Sequence, residues 1–245
     1  MNKLKTVLIT GSSDGIGAAI AQRLANSGYK VFLTGRSQEK LIAQAEKYNV
    51  AGYIAGDLLD KTFVQKLVDT AINSLGHIDI LVNNAGAYVW SPIEKTSDKD
   101  IENIIKLNLE VPYKLSQLVI PFMKARKAGR IINIGSISGI VGEANASLYS
   151  ASKAGLVGIT KALALELAEY GISVNLVNPG WVKTALTETY FDNEAVCEKE
   201  ELDMIPQKRW IEPSEVAGLV KYLLSDEALG ITGQSINLCC GLSLG

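Results

Sequence analysis

The sequence predicts an α/β fold: one doubly wound domain over residues 1–245, with a parallel sheet of about seven strands and helices on both faces. Three observations predict it. Short apolar runs of strand length alternate with amphipathic stretches of helix length almost throughout the chain. A glycine-rich turn, Thr10 to Gly17, joins the first apolar run to the first helical pattern. Its spacing is G-x-x-x-G-x-G, with Gly11, Gly15 and Gly17. Finally, Tyr149 and Lys153 stand four residues apart near the start of a long amphipathic run, Leu148 to Tyr170, and so share one helical face.

Composition narrows the function classes. With 47% hydrophobic and 20% charged residues and a net charge of −2, acids and bases interspersed, the chain reads as globular and lacks a nucleic-acid footprint. The start, Met1 to Thr6, has no apolar signal-peptide core, and no stretch approaches a membrane span, so a cytoplasmic protein is expected. Cys197, Cys239 and Cys240 lack metal-ligand spacing and are expected reduced. His77 has no partner set for catalysis or metal binding, and no metal is expected.

Taken in order, strands are expected at Leu4–Thr10, Val31–Thr34, Ala51–Ala55, Ile78–Val82, Arg130–Ile134, Ser173–Val177 and Ser235–Leu238. Helices are expected over Ile16–Ser27, through Leu41 and Ala45, and over Asp60–Leu75, Asp98–Lys127, Leu148–Tyr170 and Pro213–Leu224. Pro112 is read as an interruption inside the long Asp98–Lys127 helix. Right-handed crossovers then put a ligand crevice at the carboxyl ends of the strands. The rhythm breaks at 184–212, where a long irregular segment at that edge reads as a lid or binding loop.

The glycines of the first turn permit a tight bend and let a pyrophosphate approach the helix N-terminus, where amide groups and the helix dipole favour anions. That makes the domain a candidate dinucleotide-binding Rossmann unit. The second strand ends in Thr34-Gly35-Arg36-Ser37, with no acid to bind the ribose hydroxyls of NAD. Arg36 and Ser37 can instead bond the 2′-phosphate of NADP(H), while Asp14 in the adjoining turn argues the other way.

A tyrosine phenol titrates near ~10, too high for free proton exchange at neutral pH. A cationic lysine beside it stabilises the phenolate, and Ser136, at the end of the Ile131–Gly135 run, can hold a carbonyl or hydroxyl oxygen before the phenol. YxxxK alone is a common pattern; the rest of the chain supports it.

Over essentially its whole length the chain resembles the single-domain short-chain dehydrogenases/reductases. The matching residues are Thr10 to Gly17, Asp57-Leu58, Asn83-Asn84-Ala85-Gly86, Asn108, Ser136, Tyr149 with Lys153, and Asn178-Pro179-Gly180. The resemblance implies Tyr149 as general acid or base, and Lys153 as the group that lowers its pKa and bonds the nicotinamide ribose. Ser136 would polarise the substrate oxygen, and Asn108 would hold a water linking Lys153 to solvent. Gly11, Ser13, Asp14, Gly15, Ile16 and Gly17 would surround the pyrophosphate, with Asp57 and Leu58 at the adenine. Asn83, Ala85 and Gly86 would close the fourth strand against the cofactor, whereas Asn84 reads as structural. Pro179, Gly180, Val182 and Thr184 would meet the carboxamide end. Dimers or tetramers through the long helices around Asn108 and Ala164 are a further implication.

The flavour is that of 3-oxoacyl-carrier-protein reductases, whose Tyr149-to-Leu156 segment is matched here. Two departures stand out: Cys239-Cys240-Gly241 replaces the usual Asp-Gly-Gly, and Tyr170 replaces the arginine often found before Gly171. Lys124, Arg126, Lys127 and Arg130 could still face an acidic carrier protein, or form a solvated helix end. Tyr88, Val89, Trp90, Ile137, Ser138 and Trp181 would line a pocket for an apolar or ring-containing carbonyl compound, ordinary packing being the alternative for each. The stretch Ala185 to Met204 holds seven acids against one lysine and would repel a coenzyme A ester. The expected reaction is NADP(H)-dependent reduction of a ketone, such as a 3-oxoacyl or polyketide carbonyl, to a secondary alcohol. NAD-linked alcohol oxidation, dehydration or epimerisation through the same tyrosine, and a non-catalytic dinucleotide-binding regulator are the competing readings.

Overall fold

A computed structural model describes residues 5–185, 187–188 and 198–244. Its centre is a seven-stranded parallel sheet in the order β3-β2-β1-β4-β5-β6-β7. The strands are β1 (Thr6–Ile9), β2 (Lys30–Gly35), β3 (Gly52–Ala55), β4 (Ile80–Asn83), β5 (Gly129–Ile134), β6 (Ile172–Pro179) and β7 (Ser235–Leu238). The chain winds outward from β1 to β3, then returns to pair β4 with the other edge of β1, in register Ile9 to Val82. That reversal opens a crevice beyond the carboxyl ends of β1 and β4.

The two faces are filled by alternate strand residues. Val7, Ile9, Ile80 and Val82 pack on α1 (Gly15–Ala25), whose neighbour on that face is the last long helix, Pro213–Leu223. Leu8, Leu81 and Ile131 pack on α3 (Phe63–Leu75), α5 (Val111–Arg126) and α7 (Ser147–Leu167). Burial on both sides explains why β1, β4, β5 and β6 read as nearly unbroken apolar runs. The edge helix α2 (Gln38–Tyr48) starts at Ser37, whose hydroxyl accepts from the Lys40 amide, and ends at Asn49 in the left-handed conformation.

The long helix expected over Asp98–Lys127 is present as one continuous helical run from Asp98 to Arg126, and only the site of its irregularity differs. The run consists of α4 (Asp98–Ile105), a π-helical turn (Lys106–Glu110) and then α5. Pro112 sits in the first turn of α5, one turn after the actual irregularity. The cause is still proline. In a regular helix its ring would collide with the carbonyl of residue i−4, which is Asn108, and it has no amide to offer that carbonyl. The Val111 amide reaches back to the Lys106 carbonyl instead, widening the turn around the buried Asn108.

After β5 come the short α6 (Ser138–Val141) and α7; after β6, α8 (Glu198–Met204) precedes α9 (Pro213–Leu223). Within 184–212, residues 186 and 189–197 lie outside the described residues, and so does Cys197. Cys239 and Cys240 are free thiols. Among the described residues, no helix is long and apolar enough to cross a membrane, and no group of acidic, histidine and cysteine side chains could hold a metal ion. His77 lies 3.3 Å from the buried Asp79, away from the crevice at the start of β4.

Candidate active site

The crevice floor is built by the first turn. Gly11 and Gly15 take left-handed φ values of 62° and 53°. A Cβ on Gly17 would lie 2.2 Å from the Gly11 carbonyl oxygen, so the loop can fold onto the helix only with glycine there. Asn84 ties this turn to the end of β4: its amide donates to the carbonyls of Thr10 (2.9 Å) and Gly11 (3.0 Å). The Thr10 hydroxyl accepts from the amides of Asn84 and Ala85, both at 3.0 Å. The N-terminus of α1 therefore opens at the switch point, where a phosphate fits the amides and the dipole. Asp14 caps α1 through the Gly15 amide at 2.7 Å and ion-pairs with Lys40 across the mouth of the turn. Lys40 and the Gly15 amide both hold the Asp14 carboxyl below its usual range.

Across the crevice, β5 delivers Ser136 and α7 delivers Tyr149 and Lys153. Ser136 lies beside the Tyr149 phenol. Burial pushes that phenol up to about 12, Ser136 acts to lower it, and the Glu143 charge adds to the rise. Lys153 is only 5% exposed; its ammonium donates to the Ile134 carbonyl at 2.9 Å and lies 5.7 Å from the centre of the Tyr149 ring. Burial pulls it down to about 8. Burial, not Lys153, sets the direction of the Tyr149 shift in this structure. Desolvation leads both shifts, raising the phenol and lowering the ammonium.

Asn108 braces this pair from below. Its side chain accepts from the Ala87 amide and donates to the Ala87 carbonyl, both at 2.9 Å, and donates to Ser152 Oγ at 3.1 Å. Gly86 lies where these groups converge: a Cβ there would sit 3.2 Å from Asn108 Oδ1 and 3.3 Å from Lys153 Nζ.

A second hydrogen-bonded chain goes beyond the sequence expectation. Ser136 donates to Ser138 Oγ at 3.1 Å, Ser138 donates to Glu143 Oε2 at 2.6 Å, and Tyr88 donates to Glu143 Oε1. The Tyr88 ring also meets Tyr149 edge to face, with centroids 4.9 Å apart. Glu143 thereby bears on both the Ser136 and the Tyr149 hydroxyls. No periodicity marks it in the sequence; it sits in the loop between α6 and α7, where only the fold decides direction.

Ser136, Tyr149 and Glu143 line a cavity of about 520 Å³. Tyr88, Trp90, Ile137, Ser138 and Trp181 share its wall, whereas Val89, expected with them, does not. Ile16, Pro179, Gly180, Val182 and Thr184 reach the same cavity from the cofactor side. The Gly15 position approaches the Thr184 methyl, with a Cβ there 3.3 Å away, so the first turn and the β6 loop touch. Glu200, Glu201 and Met204 of α8 also reach the wall. Burial pushes the Glu201 carboxyl up, and the neighbouring Glu143 adds to it.

The remaining expected cofactor residues are placed as follows. Arg36 is exposed at the end of β2, and Ser13 is packed against Gly35, where a Cβ would meet Ser13 Oγ at 2.7 Å. Asp57 follows β3 and turns its carboxylate onto the Leu59 amide at 2.9 Å, beside the buried Leu58. Ala85 lies against the Gly11 turn. Asn83 ends β4; its side-chain amide donates to Asn133 at 2.9 Å, and Asn133 donates to Thr160 of α7.

The basic residues Lys124, Arg126, Lys127 and Arg130 lie at the end of α5 and the start of β5, with Arg126 and Lys127 exposed. Lys124 sits 4.2 Å over the Tyr170 ring, Arg126 pairs with Asp79 at 3.4 Å, and Arg130 is buried on the carbonyls of Gly129 and Gly171. Of the four, Arg130 is buried, and Lys124 and Arg126 have partners within the protomer. All four cluster at the amino end of β5, a strand about 20 Å long, opposite the crevice.

Residues 5–195 match the family model for short chain dehydrogenases. The 3-oxoacyl-acyl-carrier-protein reductase of Buchnera aphidicola is 39% identical over 240 residues, covering 97% of each chain. The structure superposes on a tryptophan-substituted variant of the actinorhodin polyketide ketoreductase, crystallised with NADPH, at a TM-score of 0.92. That match has 35% identity and covers 99% of this chain and 98% of the other. The 3-ketoacyl-acyl-carrier-protein reductase of Brucella melitensis, complexed with NADH, gives 0.91 at 30% identity over 98% of each. With the turn, the sheet order and the Ser136–Tyr149–Lys153 cluster in place, the chain belongs to the short chain dehydrogenase family.

Proposed function

We propose that this chain is an NADP(H)-dependent ketoreductase that converts a ketone, of the 3-oxoacyl or polyketide type, to a secondary alcohol. The observation that carries the reading is the convergence of the Ser136 and Tyr149 hydroxyls on one cavity, reached on its other side by the glycine turn and the β6 loop. The turn fits a dinucleotide: Gly11, Gly15 and Gly17 leave the amides of α1 open to a pyrophosphate, and the exposed Arg36 offers a bidentate cation at the end of β2. A bound nicotinamide would supply the hydride.

The chain's own part is positional and protonic. Ser136 holds the substrate oxygen, and Tyr149 delivers the proton from its phenol to that oxygen. Lys153 and the pyrophosphate-facing amides orient the cofactor, with Thr184 and the Val182 backbone at its carboxamide end. The Asn108 carbonyl, deprived of its usual donor by Pro112, is placed to hold a water for returning a proton by way of Lys153. The segment 184–212 serves as a lid, a role supported by Thr184, Thr187, Glu200 and Met204 in the cavity wall.

The relatives named above as ketoreductases of acyl chains support the substrate class, and one was crystallised with NADPH, another with NADH. Homodimers or tetramers are proposed through the exposed Tyr113 and Phe122 of α5 and Leu165 of α7. Asn108 and Ala164, the positions expected at that contact, are buried within the protomer.

The test is a panel of ketones, β-ketoesters and β-ketoacyl thioesters assayed by loss of nicotinamide absorbance with NADPH and with NADH. NADPH-linked turnover of at least one β-ketoacyl compound is expected. NADH-linked turnover alone would reassign the cofactor, and product formation without absorbance change would favour dehydration or epimerisation.

A further inference from the structure

We infer that Lys40 is a cofactor-selecting residue: Asp14 holds it at the mouth of the turn, and it exchanges onto the 2′-phosphate of NADP(H). The inference rests on the NADP(H) reading above and adds a residue to it.

Four groups from three segments meet at this spot. Ser13 and Asp14 come from the turn after β1. Ser13 is packed on Gly35 at the end of β2. Lys40 comes from the first turns of α2, where the Ser37 hydroxyl accepts its amide at 3.3 Å. Its ammonium reaches back to Asp14, and the pair is open to solvent, with side-chain exposures of 56% and 55%. Such an exposed ion pair is worth little by itself, so its partners can be exchanged at small cost. Arg36, four residues before Lys40 and exposed, has no ion-pair partner among the described residues.

The consequence for the two cofactors is opposite. A ribose with free hydroxyls looks for a carboxylate, and β2 ends without one. Asp14 in the adjoining turn is a substitute, but Lys40 and the Gly15 amide already occupy its oxygens. A 2′-phosphate would be repelled by a bare Asp14, whereas Lys40 neutralises that charge and can itself bond the phosphate. One lysine thus masks the acceptor that NAD would use and supplies a donor that NADP uses.

The test is fluorescence titration of NADPH and NADH into the wild type, Lys40→Met, Lys40→Arg, Asp14→Asn and Lys47→Met, with circular dichroism to verify folding. Lys40→Met should lower the NADPH-to-NADH affinity ratio about tenfold, as expected for one lost charge-assisted contact. Lys40→Arg should keep the ratio. Asp14→Asn preserves the helix cap and should tighten NADPH severalfold by releasing the lysine. Lys47→Met, at the far end of α2, removes the same charge and should leave the ratio unchanged. A wild type that prefers NADPH while Lys40→Met retains that preference overturns the inference and leaves the proposed function standing. A Lys47→Met effect as large as that of Lys40→Met also overturns it, because the cause would then be net charge. A wild type that binds NADH as tightly as NADPH defeats the NADP(H) reading itself.

Discussion

Ser138 donates a 2.6 Å hydrogen bond to Glu143 and accepts one from Ser136, so a carboxylate is linked to the serine proposed to hold the substrate oxygen. The same carboxylate accepts from Tyr88, whose ring abuts Tyr149, and its charge helps hold the Tyr149 phenol up at about 12. The proposed ketone reduction uses the protonated phenol, so its rate should be complete below that pKa and be lost as pH rises through it. Glu143→Gln removes the charge and lowers the phenol pKa. The alkaline limb of the kcat profile should therefore move to lower pH. A limb that stays in place or moves upward would show that Glu143 does not act on the phenol.

Lys153 should be costly to the fold that carries it. A lysine ordinarily titrates near ~10.4, and burial pulls this one down to about 8. Between those values the unfolded chain binds more protons than the folded one, so stability rises with pH across that window. The penalty is complete below about pH 8. Lys153→Met should stabilise the protein at pH 7, by roughly 1–3 kcal/mol, while abolishing turnover. The gain should fade by about pH 10.5 in urea unfolding. A variant less stable than wild type at pH 7 would mean that the bond to the Ile134 carbonyl outweighs desolvation.

Gly17 leaves no room for a side chain, since a Cβ would lie 2.2 Å from the Gly11 oxygen and 2.5 Å from Asn84 Nδ2. Gly17→Ala should cost roughly 1–3 kcal/mol of stability and weaken dinucleotide binding about tenfold or more. Gly158→Ala is the companion, because nothing lies within 4 Å of a Cβ on that helical glycine. It should stabilise α7 by about 0.5–1 kcal/mol and leave binding intact. Equal binding losses in both variants would contradict the role assigned to the turn.

Glu143, Glu200 and Glu201 give the substrate cavity an acidic wall, with no lysine or arginine among its described lining residues. A β-ketoacyl N-acetylcysteamine thioester, which is neutral, should therefore show a lower KM than the same acyl group on coenzyme A. The difference should shrink in Glu201→Gln and at high salt. A lower KM for the coenzyme A ester would mean that phosphates are welcomed elsewhere on the rim.

The strands and the two helical motifs are legible in the sequence because burial on both sheet faces writes them as apolar runs and because glycine is demanded at Gly11, Gly15 and Gly17. Other features depend on information that local pattern does not carry. Asn83 follows Ile80-Leu81-Val82, an unbroken apolar run that hides strand parity; only packing reveals that Leu81 and Asn83 share the face turned to α7. Pro112 announces a break but not its site, since the ring acts on the carbonyl four residues earlier, at Asn108. Lys40 and Asp14 are 26 residues apart and meet only because β1 and β2 pair in parallel. The spacing of Tyr149 and Lys153 puts them on one face, yet it does not carry the sign of the tyrosine shift. Burial decides that sign, and burial belongs to the assembled cavity.

Tyr149 as the proton donor in an NADP(H)-linked ketone reduction is tested most directly by single-turnover reduction of a β-ketoacyl thioester. The experiment uses Tyr149→Phe with NADPH bound, followed by nicotinamide absorbance. Turnover should fall by about 10²–10⁴-fold, the usual worth of a general acid, with the NADPH Kd unchanged. A variant that keeps the wild-type rate with the cofactor bound would contradict the mechanism.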